Sequence, residues 1–180
     1  MGARPLGCAD ISADRGNGGS VLGVISLVLV RHAKSDWGDP ALDDHDRPLN
    51  ARGLRDAPIM ARRLLDTGFR PTAVLASTAL RAATTADYFS GAFGVPVDLQ
   101  ERLYGAPATT LLRAAAETGA RSVLVVAHDP GMSELAARLS DDGIAHMPTC
   151  AVARFTWDED SWEVATAVDP ESWTLDTPAR

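Results

Sequence analysis

Cysteine is scarce in this chain. Its 180 residues include two, Cys8 and Cys150, far apart and in no paired motif. Neither a disulfide framework nor a thiolate metal site is indicated. Long apolar runs are missing as well. The longest, residues 21–30, is about half the ~20 residues that a membrane span requires, and no small-residue cleavage site follows it. There is no excess of basic charge: 17 Lys and Arg against 24 Asp and Glu give a net charge of −7. That argues against a general nucleic-acid or anionic-membrane surface. The four histidines show no His-x-His or His-x-x-x-His spacing, which removes the simplest metal sites. These absences lead us to expect a cytoplasmic protein with no nucleic-acid or membrane partner, no metal and no cofactor, working as a monomer or weak dimer.

What is present suits one domain with a real core, since 46% of the residues are hydrophobic. Residues 1–20 are rich in Gly, Asp and Arg without periodicity, and we expect a disordered leader there. Residues 21–180 are expected to form a single domain. Short apolar runs predict strands at 24–30, 73–77, 95–99 and 122–127. Helical spacing predicts helices at 51–67, 80–89, 107–118 and 132–139. Asn50 is the expected N-cap of the first helix, with Leu54, Ala57, Ala61, Leu64 and Leu65 facing inward. Residues 151–157 and 163–168 read as a final hairpin, with a loop-like tail from Asp169. Residues 34–50 form a polar loop with Asp36, Asp39, Asp43, Asp44 and Asp46, too long for a bare connector and expected to border a site. Strands alternating with helices imply an α/β fold, a mostly parallel sheet covered on both faces.

The chemistry gathers at strand ends. Leu27-Val28-Leu29-Val30 runs directly into Arg31-His32. The second strand ends at Ser77, just before Arg81, and the strand at 122–127 ends at His128. Carboxyl ends of parallel strands share one rim, where ligands bind in open α/β sheets. Arg31, His32, Arg81 and His128 can therefore meet. Guanidiniums give planar, bidentate recognition of phosphate, and an imidazole can act as a nucleophile. Two arginines and two histidines around one point suit a tetrahedral dianion. Cations beside the histidines would repel a metal ion.

Four blocks carry a resemblance. Arg31-His32-Ala33-Lys34-Ser35 resembles the Arg-His-Gly signature of the histidine phosphatase (phosphoglycerate mutase-like) superfamily, with alanine for glycine. In that form it is similar to the bacterial phosphohistidine phosphatases of the SixA type. Pro48-Leu49-Asn50-Ala51-Arg52-Gly53, Ser77-Thr78-Ala79-Leu80-Arg81 with Thr85-Ala86, and His128-Asp129-Pro130-Gly131 resemble the later blocks, in order and with family-like spacing. The resemblance implies a three-layer α/β/α sandwich with one antiparallel strand, placed in the final hairpin. It implies His32 as the nucleophile that becomes phosphohistidine, and Arg31, Arg81 and His128 around the phosphate oxygens. Leu99-Gln100-Glu101-Arg102-Leu103-Tyr104-Gly105 resembles the mutase stretch whose glutamate moves the leaving-group proton. Glu101 is therefore the first candidate for general acid, with Asp36 and Asp129 as rivals. Ser77 can bind a phosphate oxygen, orient a histidine, or cap the next helix. Lys34 and Arg52 can guide an anionic substrate, and Trp37 can line the mouth of the site.

The expected function is a metal-independent phosphatase with a phosphohistidine intermediate, acting on protein phosphohistidine. The alternatives are a small-molecule phosphomonoesterase or mutase on a small phosphorylated substrate, and a non-catalytic phosphate-binding module. A short chain with little inserted over the site favours a protein substrate.

Overall fold

A computed structural model describes residues 23–179, so the leader expected at 1–20 lies outside the described residues. One six-stranded sheet carries the molecule. Its strands are β1 (Ile25–Arg31), β2 (Ala73–Ser77), β3 (Val97–Gln100), β4 (Ser122–Ala127), β5 (Val152–Trp157) and β6 (Ser172–Asp176). They lie side by side in the order β3-β2-β4-β1-β5-β6. The first four run parallel. β5 is antiparallel to both β1 and β6, and is the one strand of opposite direction.

The central strands are apolar throughout because both of their faces are covered. In β1 the side chains of Ile25, Leu27 and Leu29 enter one core, and those of Val28 and Val30 the other. β4 divides in the same way: Val123, Val125 and Ala127 on one side, Leu124 and Val126 on the other. Two helices cover each face. α1 (Ala51–Asp66) and α2 (Leu80–Phe93) supply Met60, Leu64 and Phe89 to one core. α3 (Ala108–Glu117) and α4 (Gly131–Leu139) supply Leu111, Met132 and Leu135 to the other. The architecture is the expected three-layer sandwich.

Asn50 caps α1 as anticipated, its side-chain oxygen accepting the Gly53 N–H at 3.0 Å. The inward face of that helix is turned from the one expected. Met60 joins Ala57, Ala61 and Leu64 in the core, while Leu54 is exposed. The final hairpin also differs. Residues 163–168 do not form its second arm. Trp162–Ala165 is a single helical turn, α5, and the partner of β5 is β6, inside the tail read as loop. The reason is local. Ser161 caps the turn by accepting the Val164 N–H. Trp162 is buried, its indole N–H donating to the Ala120 carbonyl at 2.7 Å, so the chain must travel further before it can pair.

Candidate active site

The register sets Arg31 beside Ala127 and Ala76 beside Val126. The residues that follow on each strand, His32, Ser77 and His128, therefore emerge on one rim. Three contacts fix the exit of β1. The His32 N–H donates to the Ala127 carbonyl at 3.0 Å. The Ala33 N–H donates to the Thr85 hydroxyl at 3.0 Å, and that hydroxyl donates to the Arg81 carbonyl at 2.7 Å. Strand end and α2 are thereby tied together. α1 closes from the other side at Gly53, where any Cβ would lie 2.3 Å from the Lys34 carbonyl oxygen. Only glycine permits that approach.

His32 and His128 face each other, with ring centroids 5.0 Å apart. Both are buried. Burial, and then the nearby Arg81 and Arg31, push His32 down to about 4, although its hydrogen bond to Ala33 opposes the shift. Burial, followed by His32 and Arg81, takes His128 down to about 3. Both rings are neutral at pH 7. His32 Nδ1 lies 2.8 Å from the Ala33 carbonyl oxygen, which can only accept. The proton of the neutral ring therefore sits on Nδ1, and Nε2 carries the free lone pair. His128 Nε2 is 2.8 Å from the hydroxyl of Ser77, and that oxygen also accepts the Ala79 N–H at 3.2 Å. A hydroxyl that donates to Nε2 leaves the proton on His128 Nδ1, a buried atom without a protein partner among the described residues.

Both arginines border the same cleft, of about 140 Å³, lined by Arg31, His32, Lys34, Ser35, Trp37, Asp44, Arg81 and Thr149. Each is held by a carboxylate. Arg31 pairs with Asp129 at 2.8 Å and donates to the Met147 carbonyl at 2.7 Å. Arg81 donates to Asp44 twice, to its carboxylate at 2.8 Å and to its backbone carbonyl. Tyr104 donates its hydroxyl to the same carboxylate at 2.7 Å. The Tyr104 hydrogen bond, and then Arg81, hold the Asp44 carboxyl below its ordinary value. Asp44 is thus an anion already paired with Arg81 at the cleft. The loop carrying it is pinned by His45, whose ring packs edge-on against Tyr104 and whose Nε2 lies 3.0 Å from the Thr78 hydroxyl. Trp37 stands at the mouth, with the Arg47 guanidinium 3.8 Å over its ring.

Arg31, His32, Arg81 and His128 are brought together, with Ser77 behind His128. Ser77 is fully buried against that ring. Its hydroxyl orients the histidine and, in the same position, accepts the N–H of Ala79, the residue just before α2, without capping the helix itself. Glu101 is not brought in. It is exposed at the start of a short 3₁₀ turn, Glu101–Leu103, and does not line the cleft. That turn instead delivers Tyr104, three residues on. Asp36 is exposed and accepts the Gly38 N–H at 2.8 Å. Asp129 is committed to Arg31 and, through its other oxygen, to the Ser133 hydroxyl at 2.8 Å. Asp44 and Tyr104 are not singled out by the sequence, although Asp44 lies in the loop expected to border the site and Tyr104 in the stretch whose resemblance points to Glu101. Asp44 is one of five aspartates in its loop, and nothing local distinguishes it. Cys150 lies buried beneath the Arg31 and His32 carbonyls, to both of which it donates its N–H. Burial pushes its thiol up to about 12, so it is unreactive. Among the described residues no cluster of His, Cys, Asp and Glu could hold a metal ion. No described helix is long and apolar enough to cross a membrane.

Comparison with known proteins places these features in context. Residues 27–105 match the histidine phosphatase superfamily (branch 1). An uncharacterised chloroplastic protein of Arabidopsis thaliana is 30% identical over 164 residues, 83% of this chain and 75% of that protein. An uncharacterised protein of Mycobacterium tuberculosis is 39% identical over 113 residues, 62% of this chain and 70% of that one. Two solved structures provisionally assigned as phosphohistidine phosphatase SixA are also similar. That from Agrobacterium tumefaciens is 28% identical with a TM-score of 0.72, covering 86% of this chain and 98% of its own. That from Nakamurella multipartitia is 26% identical with a TM-score of 0.74, covering 88% of this chain and 98% of its own.

Proposed function

We propose, from the premise that this chain belongs to the histidine phosphatase superfamily and is a phosphatase, that it works through a phosphohistidine on His32 and acts on phosphohistidine in proteins. The observation that carries the mechanism is the hydrogen bond from His32 Nδ1 to the Ala33 carbonyl at 2.8 Å. It fixes the tautomer, and the neutral ring offers Nε2 to phosphorus between two guanidiniums. In the first step Nε2 bonds to phosphorus while the bond from phosphorus to the leaving nitrogen breaks, and the substrate imidazole, already protonated on its other ring nitrogen, departs as a neutral ring with the bonding pair on the nitrogen it leaves by. Arg31, Arg81 and the Nδ1–H of His128 bind the three non-bridging oxygens. Phosphoryl transfer asks chiefly for such positioning and charge stabilisation. In the second step water attacks phosphorus, the Nε2–P bond breaks, and phosphate leaves.

The carboxylates around the cleft support the substrate. Asp44 and Asp129 are each held by an arginine, and Glu101 is exposed and does not line the cleft. Neither Asp44 nor Asp129 is therefore free to serve a leaving group. An alkoxide leaving group needs a protonated acid, and a positioned acid contributes about 10²–10⁴-fold. An imidazole whose other ring nitrogen already carries a proton leaves as a neutral ring and needs no further acid. The likeness to the two SixA structures supports the same substrate class. The test is hydrolysis of a histidine-phosphorylated protein beside 3-phosphoglycerate and sugar phosphates. We expect kcat/KM to favour the phosphohistidine protein by about 10² or more, the contribution of the missing acid. Preference for a sugar phosphate, abolished in Glu101→Gln, would instead establish the phosphomonoesterase or mutase reading.

A further inference from the structure

A second depression adjoins the phosphate cleft. It shares Arg31, Lys34 and Thr149 with the cleft but is much larger, about 740 Å³ against 140 Å³. Its other walls are Arg52 and Arg55 from the first turns of α1, His146 and Pro148 from the segment before β5, and the chain after β6. No carboxylate lines it among the described residues. The charges along it do not cancel. Arg52 and Arg55 share one buried carboxylate, Asp56, at 3.2 and 3.0 Å, and both guanidinium side chains remain substantially exposed. Lys34 forms no ion pair among the described residues. Arg31 is matched by Asp129. Among the described residues two positive charges are therefore left over in a groove on a chain whose net charge is −7. A phosphoryl group fills only the small cleft. The large groove must meet whatever is attached to it, and its surplus charge selects an anion.

We propose that this groove binds an acidic segment of polypeptide flanking the phosphorylated histidine of the substrate protein; the inference rests on the phosphohistidine reading above. Lys34 and Arg52 take the carboxylates nearest the phosphoryl group, and Arg55 those further along α1. The groove, about 740 Å³ with its cations spread from Lys34 to Arg55, has room for several residues of such a segment.

The experiment compares two histidine-phosphorylated peptides of equal length, one flanked by Asp and Glu, the other by Asn and Gln. The acidic peptide should have the higher kcat/KM, by about tenfold, as two solvent-exposed ion pairs provide. The advantage should lie in KM. It should shrink toward unity in Lys34→Gln, in Arg52→Gln and in their double variant, and with added salt. Arg55 keeps Asp56 paired in each of these, so the fold is retained. Equal kcat/KM for the two peptides, or an advantage that the double variant leaves intact, overturns the groove and leaves the phosphohistidine reading standing. Hydrolysis of neither peptide, with sugar phosphates turned over, overturns both. Loss of affinity for a small bisphosphate in the variants, with the peptide ratio unchanged, overturns the proposal in favour of a second small-anion subsite.

Discussion

Replacing Ser77 by alanine should damage stability and catalysis together. The Ser77 hydroxyl is fully buried and has two partners, His128 Nε2 at 2.8 Å and the Ala79 N–H at 3.2 Å. Alanine removes both. His128 is buried and its Nδ1 already lacks a protein partner, so the variant strands both ring nitrogens. The Ala79 N–H, on the residue just before α2, loses its acceptor. A buried polar group left unpaired costs about 1–3 kcal/mol. Two such groups give a loss of roughly 3 kcal/mol once partial relaxation is allowed for. In a chain of this size that lowers Tm by roughly 6–12 °C. Freed from its anchor, the His128 ring also loses the orientation that directs Nδ1–H, and kcat should fall by about 10²-fold, as for a lost oxyanion donor. The assays are thermal unfolding followed by circular dichroism, and steady-state hydrolysis of a phosphohistidine peptide. A Tm within about 2 °C of the wild type, with kcat unchanged, would refute the reasoning, since a hydroxyl worth less than ~1 kcal/mol cannot be the anchor of that ring.

Two further outcomes follow from the same geometry. Asp44→Asn should tighten binding of inorganic phosphate, because phosphate competes with this carboxylate for Arg81. Asp44 is partly exposed, so the gain is about fivefold, read as the inhibition constant of phosphate; weaker binding would mean that Asp44 orients Arg81 rather than occupying it. Stability should fall as pH is lowered from about 6.5 to about 4. The folded state holds His32 neutral there while the unfolded chain takes up the proton, so the contribution is intact above the unfolded pKa and lost as pH drops through the folded one. Full protonation costs about 3 kcal/mol from His32 alone, measured as urea midpoints against pH; His32→Gln should reduce the slope and leave the part that His128 contributes, and an unchanged slope would contradict the burial assigned to the His32 ring.

The sandwich was legible in the sequence because its strands are buried on both faces. Runs such as Leu27-Val28-Leu29-Val30 and Val123-Leu124-Val125-Val126 have one reading at that length, and their exits carry the site with them. Arg31, His32 and His128 are strand-end residues, and Arg81 follows β2 by four positions, so topology alone unites them. The proton donor was not legible. The Glu101 context is a stretch of sequence, and whether its carboxylate enters the cleft depends on how a 3₁₀ turn is rotated. Here the turn leaves Glu101 outside the cleft lining and sets the Tyr104 hydroxyl on Asp44. Asp44 was hidden for the opposite reason. A loop's aspartates are interchangeable in composition, and long-range contacts with Arg81 and Tyr104 choose among them. The last hairpin misled because Trp162, an apolar residue in strand-like company, anchors a helical turn.

The central claim is that His32 Nε2 is the atom that receives the phosphoryl group. The direct measurement is to mix the protein with a labelled phosphohistidine peptide, quench in alkali, and locate the acid-labile label by fragmentation and ³¹P NMR. The account predicts one phosphoryl group per chain, on Nε2 of His32, absent in His32→Ala. Label on His128, or on Nδ1 of His32 where the Ala33 carbonyl should hold a proton, would contradict it.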